Sequence, residues 1–120
     1  MNSEDQKLLA FLRRLFDKTK TKEVPWEAAE DANVMSIALP SYTVKLERVP
    51  PGEGGPEDFG LQITEDTGAV LLQVNADEAK ALEYPDLKEF FNAARRIALN
   101  FDEAVETLTE ELEELLRRKR

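Results

Sequence analysis

The chain has 120 residues, the size of one domain, and its 25 acidic and 16 basic side chains give a net charge of −9. It contains neither His nor Cys, which excludes disulfides, zinc fingers, Cys or His nucleophiles and imidazole bases. The acidity disfavours nucleic acid and anionic membranes as partners, and the lack of Cys fits a reducing cytoplasm. No signal peptide and no apolar run of the roughly 20 residues that span a bilayer is visible. We therefore expect a cytoplasmic protein.

The first predicted element is a helix over residues 3–20. Leu8, Leu12 and Leu15 recur at helical spacing, and cations near its end complement the helix dipole. Pro25 then disfavours a helical conformation at the preceding residue.

Trp26 begins a short acidic segment over residues 26–32, where Pro25 suits the first position of a helical turn. Because large aromatic side chains bury most of their area, we expect Trp26 to cover the edge of the core, with its indole N–H bonded to a backbone carbonyl. The alternative is an exposed anchor for a protein partner.

Alternating apolar and polar residues over 33–75 predict an antiparallel sheet of three or four strands, with one buried face. Pro40-Ser41 interrupts the first two runs, and a proline favours a bulge or a corner there over a tight hairpin. Residues 50–58 are rich in Pro and Gly and predict a loop. Gly68 lies in a turn and is free to adopt a positive φ.

The last third of the chain predicts a short turn capped by Asp77 and then helices over residues 86–99 and 102–118. Pro85 or Asp86 opens the first of these helices. The apolar spacing stays in phase across both, which also suits one long helix. Asn100 tolerates the left-handed conformation, so we expect a break at 99–102, with Asp102 capping the next helix.

These elements predict a single α+β domain over residues 1–120. An N-terminal helix precedes the antiparallel sheet, and two C-terminal helices cover one face of that sheet.

Three stretches carry a resemblance to known proteins: Trp26-Glu27-Ala28-Ala29-Glu30-Asp31, the strand pair 42–46 with 60–63, and residues 84–108 with Ala94-Arg95-Arg96. The pattern resembles a group of small uncharacterised bacterial proteins, which have Gly where this chain has Asn100. The resemblance implies a bacterial source and a helix–sheet–helix layout. It implies no catalytic or binding residue.

Arg95 and Arg96 form a basic pair on a predicted helix, but adjacent helical residues point about 100° apart and cannot form one clamp. Neither has an acidic residue three or four positions away. We expect surface ion pairs with acids on the rim of the sheet, and a site for phosphate or carboxylate is the alternative.

The last predicted helix is strongly acidic over residues 102–116. It would repel DNA, which excludes a helix-turn-helix reader, and a helix spreads its carboxylates too widely to converge on a divalent cation. A solvated face is the simpler interpretation. The acids are Asp102, Glu103, Glu106, Glu110, Glu111, Glu113 and Glu114.

The sequence nominates no catalytic, cofactor-binding or metal-binding residue, so we expect a non-enzymatic protein–protein interaction module with no cofactor. The first alternative is an acidic inhibitor or antitoxin-like protein that occupies the basic, nucleic-acid-binding surface of a partner. A small enzyme without an identifiable site is the third hypothesis. The candidate partner-binding residues are Trp26, Arg95, Arg96, Glu110, Glu111 and Glu114.

One apolar stripe on the last helix, here called the apolar seam, has the 4-3-4-3 spacing of two heptads. Because a coiled coil usually needs about three or four heptads, we expect the seam to pack on the chain's own sheet or first helix, in a monomer. The alternative is an antiparallel homodimer through this helix. The apolar seam comprises Phe101, Val105, Leu108, Leu112 and Leu115.

Overall fold

The computed structural model describes residues 3–29, 32–52 and 55–118. The α+β fold is confirmed, with an N-terminal helix, an antiparallel sheet and C-terminal helices, although the sheet has five strands rather than three or four. The elements in chain order are α1 (Ser3–Lys20), β1 (Glu27–Ala28), β2 (Val34–Ala38), β3 (Tyr42–Val49), β4 (Asp58–Glu65), β5 (Val70–Asn75), α2 (Ala76–Ala81), α3 (Leu87–Ala98) and α4 (Phe101–Arg118).

The sheet is a simple antiparallel meander in the order β1-β2-β3-β4-β5. Its register aligns the apolar positions: Val44 on β3 pairs with Ile37 on β2 and with Ile63 on β4. All three side chains are buried, so the period-two pattern of the sequence becomes one continuous apolar face. We call this the inner face of the sheet and the opposite one the outer face.

Helices α1 and α3 pack together, and α3 lies on the inner face. Phe90 of α3 is fully buried. The centroid of its ring lies 5.2 Å from that of Phe16 on α1 and 5.9 Å from that of Trp26. The ring of the next residue, Phe91, has its centroid 5.6 Å from that of Phe59 on β4. Each buried aromatic side chain stabilises the fold by about 1.5–3 kcal/mol through the apolar surface that it removes from water.

Two local predictions were wrong. The segment after Pro25 is not a helical turn, because Glu27 and Ala28 form the edge strand β1 and pair with β2. Pro40-Ser41 is neither a bulge nor a corner: Leu39 N–H donates to the Tyr42 carbonyl at 2.7 Å and closes a tight hairpin. Pro40 occupies the first central position of this turn, where its fixed φ of about −65° is compatible with type I and II turns.

The helix caps differ from the sequence prediction at two positions. Asn75, rather than Asp77, caps α2 and forms a capping box with Glu78. Asp86 caps α3, accepting a 3.0 Å bond from the N–H of Glu89. Asp102 does not cap α4, because the helix already begins at the preceding residue.

The predicted break between the C-terminal helices is present. Asn100 has a φ of 49°, in the left-handed region, and separates α3 from α4. The expectation that the second helix packs against the chain's own core was wrong, since no residue of α4 is buried. The radius of gyration of 17.6 Å exceeds the roughly 14 Å of a compact domain of this length, because α4 extends away from the rest.

Candidate interaction surface

Helix α4 presents its apolar side chains to solvent. Its exposed fractions range from 44% at Val105 to 63% at Leu108, and Leu116 beside the seam is 57% exposed. Such values are those of a helix with no neighbour on that side. A contiguous exposed apolar strip is the kind of surface through which proteins bind other molecules.

Two contacts hold the start of α4 relative to the domain. The guanidinium of Arg96 on α3 lies over the ring of Phe101, 5.8 Å from its centroid. Lys22, just after α1, forms an ion pair with Asp102. Both contacts involve exposed groups, and surface pairs of this kind are worth about 0–1 kcal/mol, so among the described residues they hold the first turn of α4 weakly.

The acidic residues of α4 make the side of the helix opposite the seam strongly negative. All seven acids between residues 102 and 114 are exposed. Within the described chain, ion pairs involve only two of them, Asp102 with Lys22 and Glu114 with Arg118 at 2.8 Å. Glu110 and Glu111 therefore lie in water, Glu111 beside the seam and Glu110 on the opposite side of the helix.

Arg95 and Arg96 border a common cleft of about 200 Å³ with Asn92 and Phe101, at the junction of α3 and α4. The predicted ion pairs with acids of the sheet rim are not found among the described residues. Arg48 forms that kind of pair instead, donating to Glu57 at 3.0 Å. Arg96 contributes to the α4 junction through Phe101, while Arg95 remains exposed beside it.

Trp26 is 3% exposed and does not present its ring to a partner. Its indole N–H bonds to the hydroxyl of Thr19 at 2.9 Å, not to a backbone carbonyl as predicted. The prediction that Trp26 is buried is confirmed. Its ring is therefore not available to a partner on the surface.

The outer face of the sheet carries a second surface that the sequence did not single out. A polar row crosses all five strands, and three of its members line a shallow groove of about 620 Å³ around Gly60. The signal was present in the sequence as the polar half of each alternating strand, but only the register shows which residues align. The row comprises Glu27, Ser36, Lys45, Gln62 and Gln73.

The side chains with shifted pKa values lie outside that groove. A hydrogen bond from Arg48 lowers the pKa of Glu57, and a hydrogen bond from the Thr21 hydroxyl lowers that of Glu23. Burial, aided by the charge of Asp5, raises the pKa of Tyr84. Each shift has a local structural cause and none marks a reactive group in a cleft.

Within residues 3–29, 32–52 and 55–118, no three or more acidic side chains come together as a metal site would require. Over the same residues, no helix has the length and apolarity to cross a bilayer. Comparisons with protein-family models, curated proteins and solved structures found no match.

Proposed function

We propose that the protein is a non-enzymatic protein-interaction module of the bacterial cytoplasm that binds its partner through α4. The observation that carries the proposal is the apolar seam on a helix of 18 residues with no buried side chain. The bacterial source rests on the sequence resemblance, and the cytoplasmic location on the absence of Cys.

The energetics of the seam support binding. A helix without tertiary contacts is only marginally stable in water, so a partner that covers the seam stabilises the helix itself. Covering a half-exposed Leu or Val contributes about 1 kcal/mol. The four Leu and Val side chains of the seam, with Phe101 and the neighbouring Leu116, together offset the lower end of the association cost, which is at least about 4 kcal/mol. Apolar contacts of this size therefore support a weak, reversible complex, and polar contacts would strengthen it.

The proposal is tested with the immobilised protein in an extract of its native host. A double variant, Leu108→Ser with Leu112→Ser, removes the centre of the seam. Val70→Ser with Leu71→Ser is the matched control, because these side chains are similarly exposed, at 53% and 56%, but lie on β5. We expect the seam variant to lose the captured protein and the control to keep it. Equal capture by both variants contradicts the proposal.

A second candidate function, an acidic inhibitor of a partner with a basic nucleic-acid-binding surface, draws support from the seven exposed acids of α4. Its partner must be basic and the complex must weaken with salt, since the Debye length falls from about 30 Å at 0.01 M to about 3 Å at 1 M. Triple substitution of Glu110, Glu113 and Glu114 by Gln would release such a partner and leave one held by the seam in place. Capture that resists salt and this substitution contradicts the inhibitor hypothesis.

A further inference from the structure

The spacing of the apolar seam is compatible with pairing to a reversed copy of itself. Two such helices packed antiparallel bring Val105 of one copy level with Leu115 of the other, and Leu108 level with Leu112. The twofold symmetry repeats both pairs and gives four apolar layers from one kind of helix. We infer that the partner covering the seam is a second copy of this chain, in an antiparallel α4–α4 homodimer. This inference rests on the proposed function and names its partner.

Charge favours the antiparallel direction. The first turn of α4 carries Asp102 and Glu103, and the last turn carries Arg117 and Arg118. In the register given above, residue 102 of one copy lies level with residue 118 of the other, so the acidic end of each helix lies beside the basic end of its neighbour. A parallel pair would place like charges together at both ends and would align the two helix dipoles unfavourably.

Two features limit the strength of this dimer. The helix is about 27 Å long, so the interface is at the small end of those that reach the 1,000 Å² typical of specific complexes. In the same register, Glu111 flanks the seam near the middle and approaches its own copy. We therefore expect a reversible dimer that dissociates on dilution, and Glu111→Gln to tighten it.

The expectation of a monomer depended on the seam packing within its own chain, and the structure leaves that seam uncovered. Phe101 and Leu99, 47% and 40% exposed at the α3–α4 junction, lie where the C-terminal turn of the second copy ends. Contacts there extend the interface beyond the paired helices.

Sedimentation equilibrium of the full chain between about 1 μM and 1 mM tests the dimer, a range that covers the weak affinities expected. Wild type should associate reversibly, and Leu112→Glu with Leu115→Glu should be monomeric, with an unchanged near-ultraviolet circular dichroism signal from buried Trp26 showing that the domain stays folded. Val70→Glu with Leu71→Glu, the control on β5, should still associate. A wild type that is monomeric throughout, or a dimer that survives the α4 substitutions, overturns the inference.

Cross-linking tests the direction, and the absence of native Cys makes engineered thiols specific probes. A disulfide needs Cα atoms about 4.4–6.8 Å apart. In the antiparallel register, Val105→Cys and Leu115→Cys proteins mixed together should form the mixed disulfide. The Val105 positions of the two copies lie about 15 Å apart along the axis, so that variant alone should not cross-link. Cross-linking of each variant to itself overturns the antiparallel arrangement.

The capture experiment separates this inference from the proposed function. A monomeric protein whose seam variant loses a different captured protein overturns the homodimer and keeps the interaction module. A monomeric protein whose seam variant loses nothing overturns both.

Discussion

The indole N–H of Trp26 donates a 2.9 Å hydrogen bond to the hydroxyl of Thr19, which itself donates a 2.7 Å bond to the carbonyl of Leu15. Thr19 is 1% exposed and Trp26 is 3% exposed. The relay joins the last turn of α1 to the residue that leads into β1. Through it, the first helix and the edge of the sheet are fixed to each other by polar as well as apolar contacts.

Replacing Thr19 by Val preserves the shape of the side chain and removes the relay. The Trp26 N–H is then buried without an acceptor, which costs about 1–3 kcal/mol of unfolding free energy. Urea denaturation followed by Trp fluorescence measures the loss, since Trp26 is the only tryptophan.

Thr109→Val is the matched control. Thr109 makes the same kind of bond, its hydroxyl donating to the Val105 carbonyl at 2.9 Å four residues earlier, but on exposed α4. We expect little change in stability there, because water replaces the lost bond. Equal effects of the two substitutions would show that burial of the Trp26 N–H is not what stabilises the relay.

Glu57 connects the sheet to a helix. It accepts a 3.0 Å bond from Arg48 of β3 and lies 3.5 Å from the ammonium of Lys88 on α3. The hydrogen bond from Arg48 lowers the pKa of Glu57. Partial burial acts in the opposite direction, and the positive charges of Arg48 and Lys88 lower the pKa further. A carboxylate with a lowered folded-state pKa stabilises the protein fully above its unfolded pKa, about 4.3, and loses that contribution as the pH falls through the folded value.

Glu57→Gln should therefore lower the urea midpoint near pH 7, and the difference from wild type should shrink as the pH falls below about 4.3. Glu47→Gln is the control, an exposed acid on the outer face without an ion pair among the described residues. A difference at Glu57 that stays constant with pH would contradict the role of its charge.

The sequence was sufficient for features that depend on neighbouring residues. The alternation of Val44 and Leu46 predicts the buried face of β3, and the conformational tolerance of Asn100 predicts the helix break. Pro40 misled because a proline excludes the commonest hairpin turns but not a turn with proline at its first central position.

The candidate surface was predictable in part. The seam was recognisable from its spacing, but whether it packs on its own chain depends on the direction in which α4 leaves Asn100. An amphipathic pattern is the same for a helix on its own core and for one that awaits a partner. The Trp26–Thr19 bond joins residues whose proximity depends on the turn between them, so periodicity does not show it.

The two glycines of the sheet region should respond oppositely to substitution by Ala. At Gly60 an added Cβ would lie 3.8 Å from the Val74 carbonyl oxygen, an ordinary contact, so Ala should stabilise by about 0.5–1 kcal/mol through lower chain entropy. At Gly68 the φ of +94° strains any side chain, and Ala should destabilise by about 1–2 kcal/mol. Urea midpoints of the two variants check the signs, and a loss at Gly60 equal to that at Gly68 would contradict this account.

Asn100 controls the direction of α4. A left-handed φ of 49° costs Ala about 1–2 kcal/mol but is tolerated by Asn and by Gly. The apolar positions of α3 and α4 stay in helical phase across the break, at Phe90, Ala94, Ile97 and Phe101. No α4 side chain is buried, so within the described part of the chain only exposed contacts hold the helix in its present direction. Asn100→Ala should therefore relieve the strain by joining α3 and α4 into one continuous helix, whereas Asn100→Gly should keep the break.

Spin labels on Cys introduced at Glu89 and Arg117 measure this change as a distance, with no native thiol to interfere. A continuous helix places the two positions about 42 Å apart, from a rise of 1.5 Å per residue. We expect that value in Asn100→Ala and a shorter one in wild type and Asn100→Gly. Since α4 carries no buried side chain, the unfolding free energy of the domain should change little, which separates a redirected helix from a damaged fold. Equal distances in all three proteins would show that contacts at the first turn of α4, such as Arg96 with Phe101, fix its direction instead.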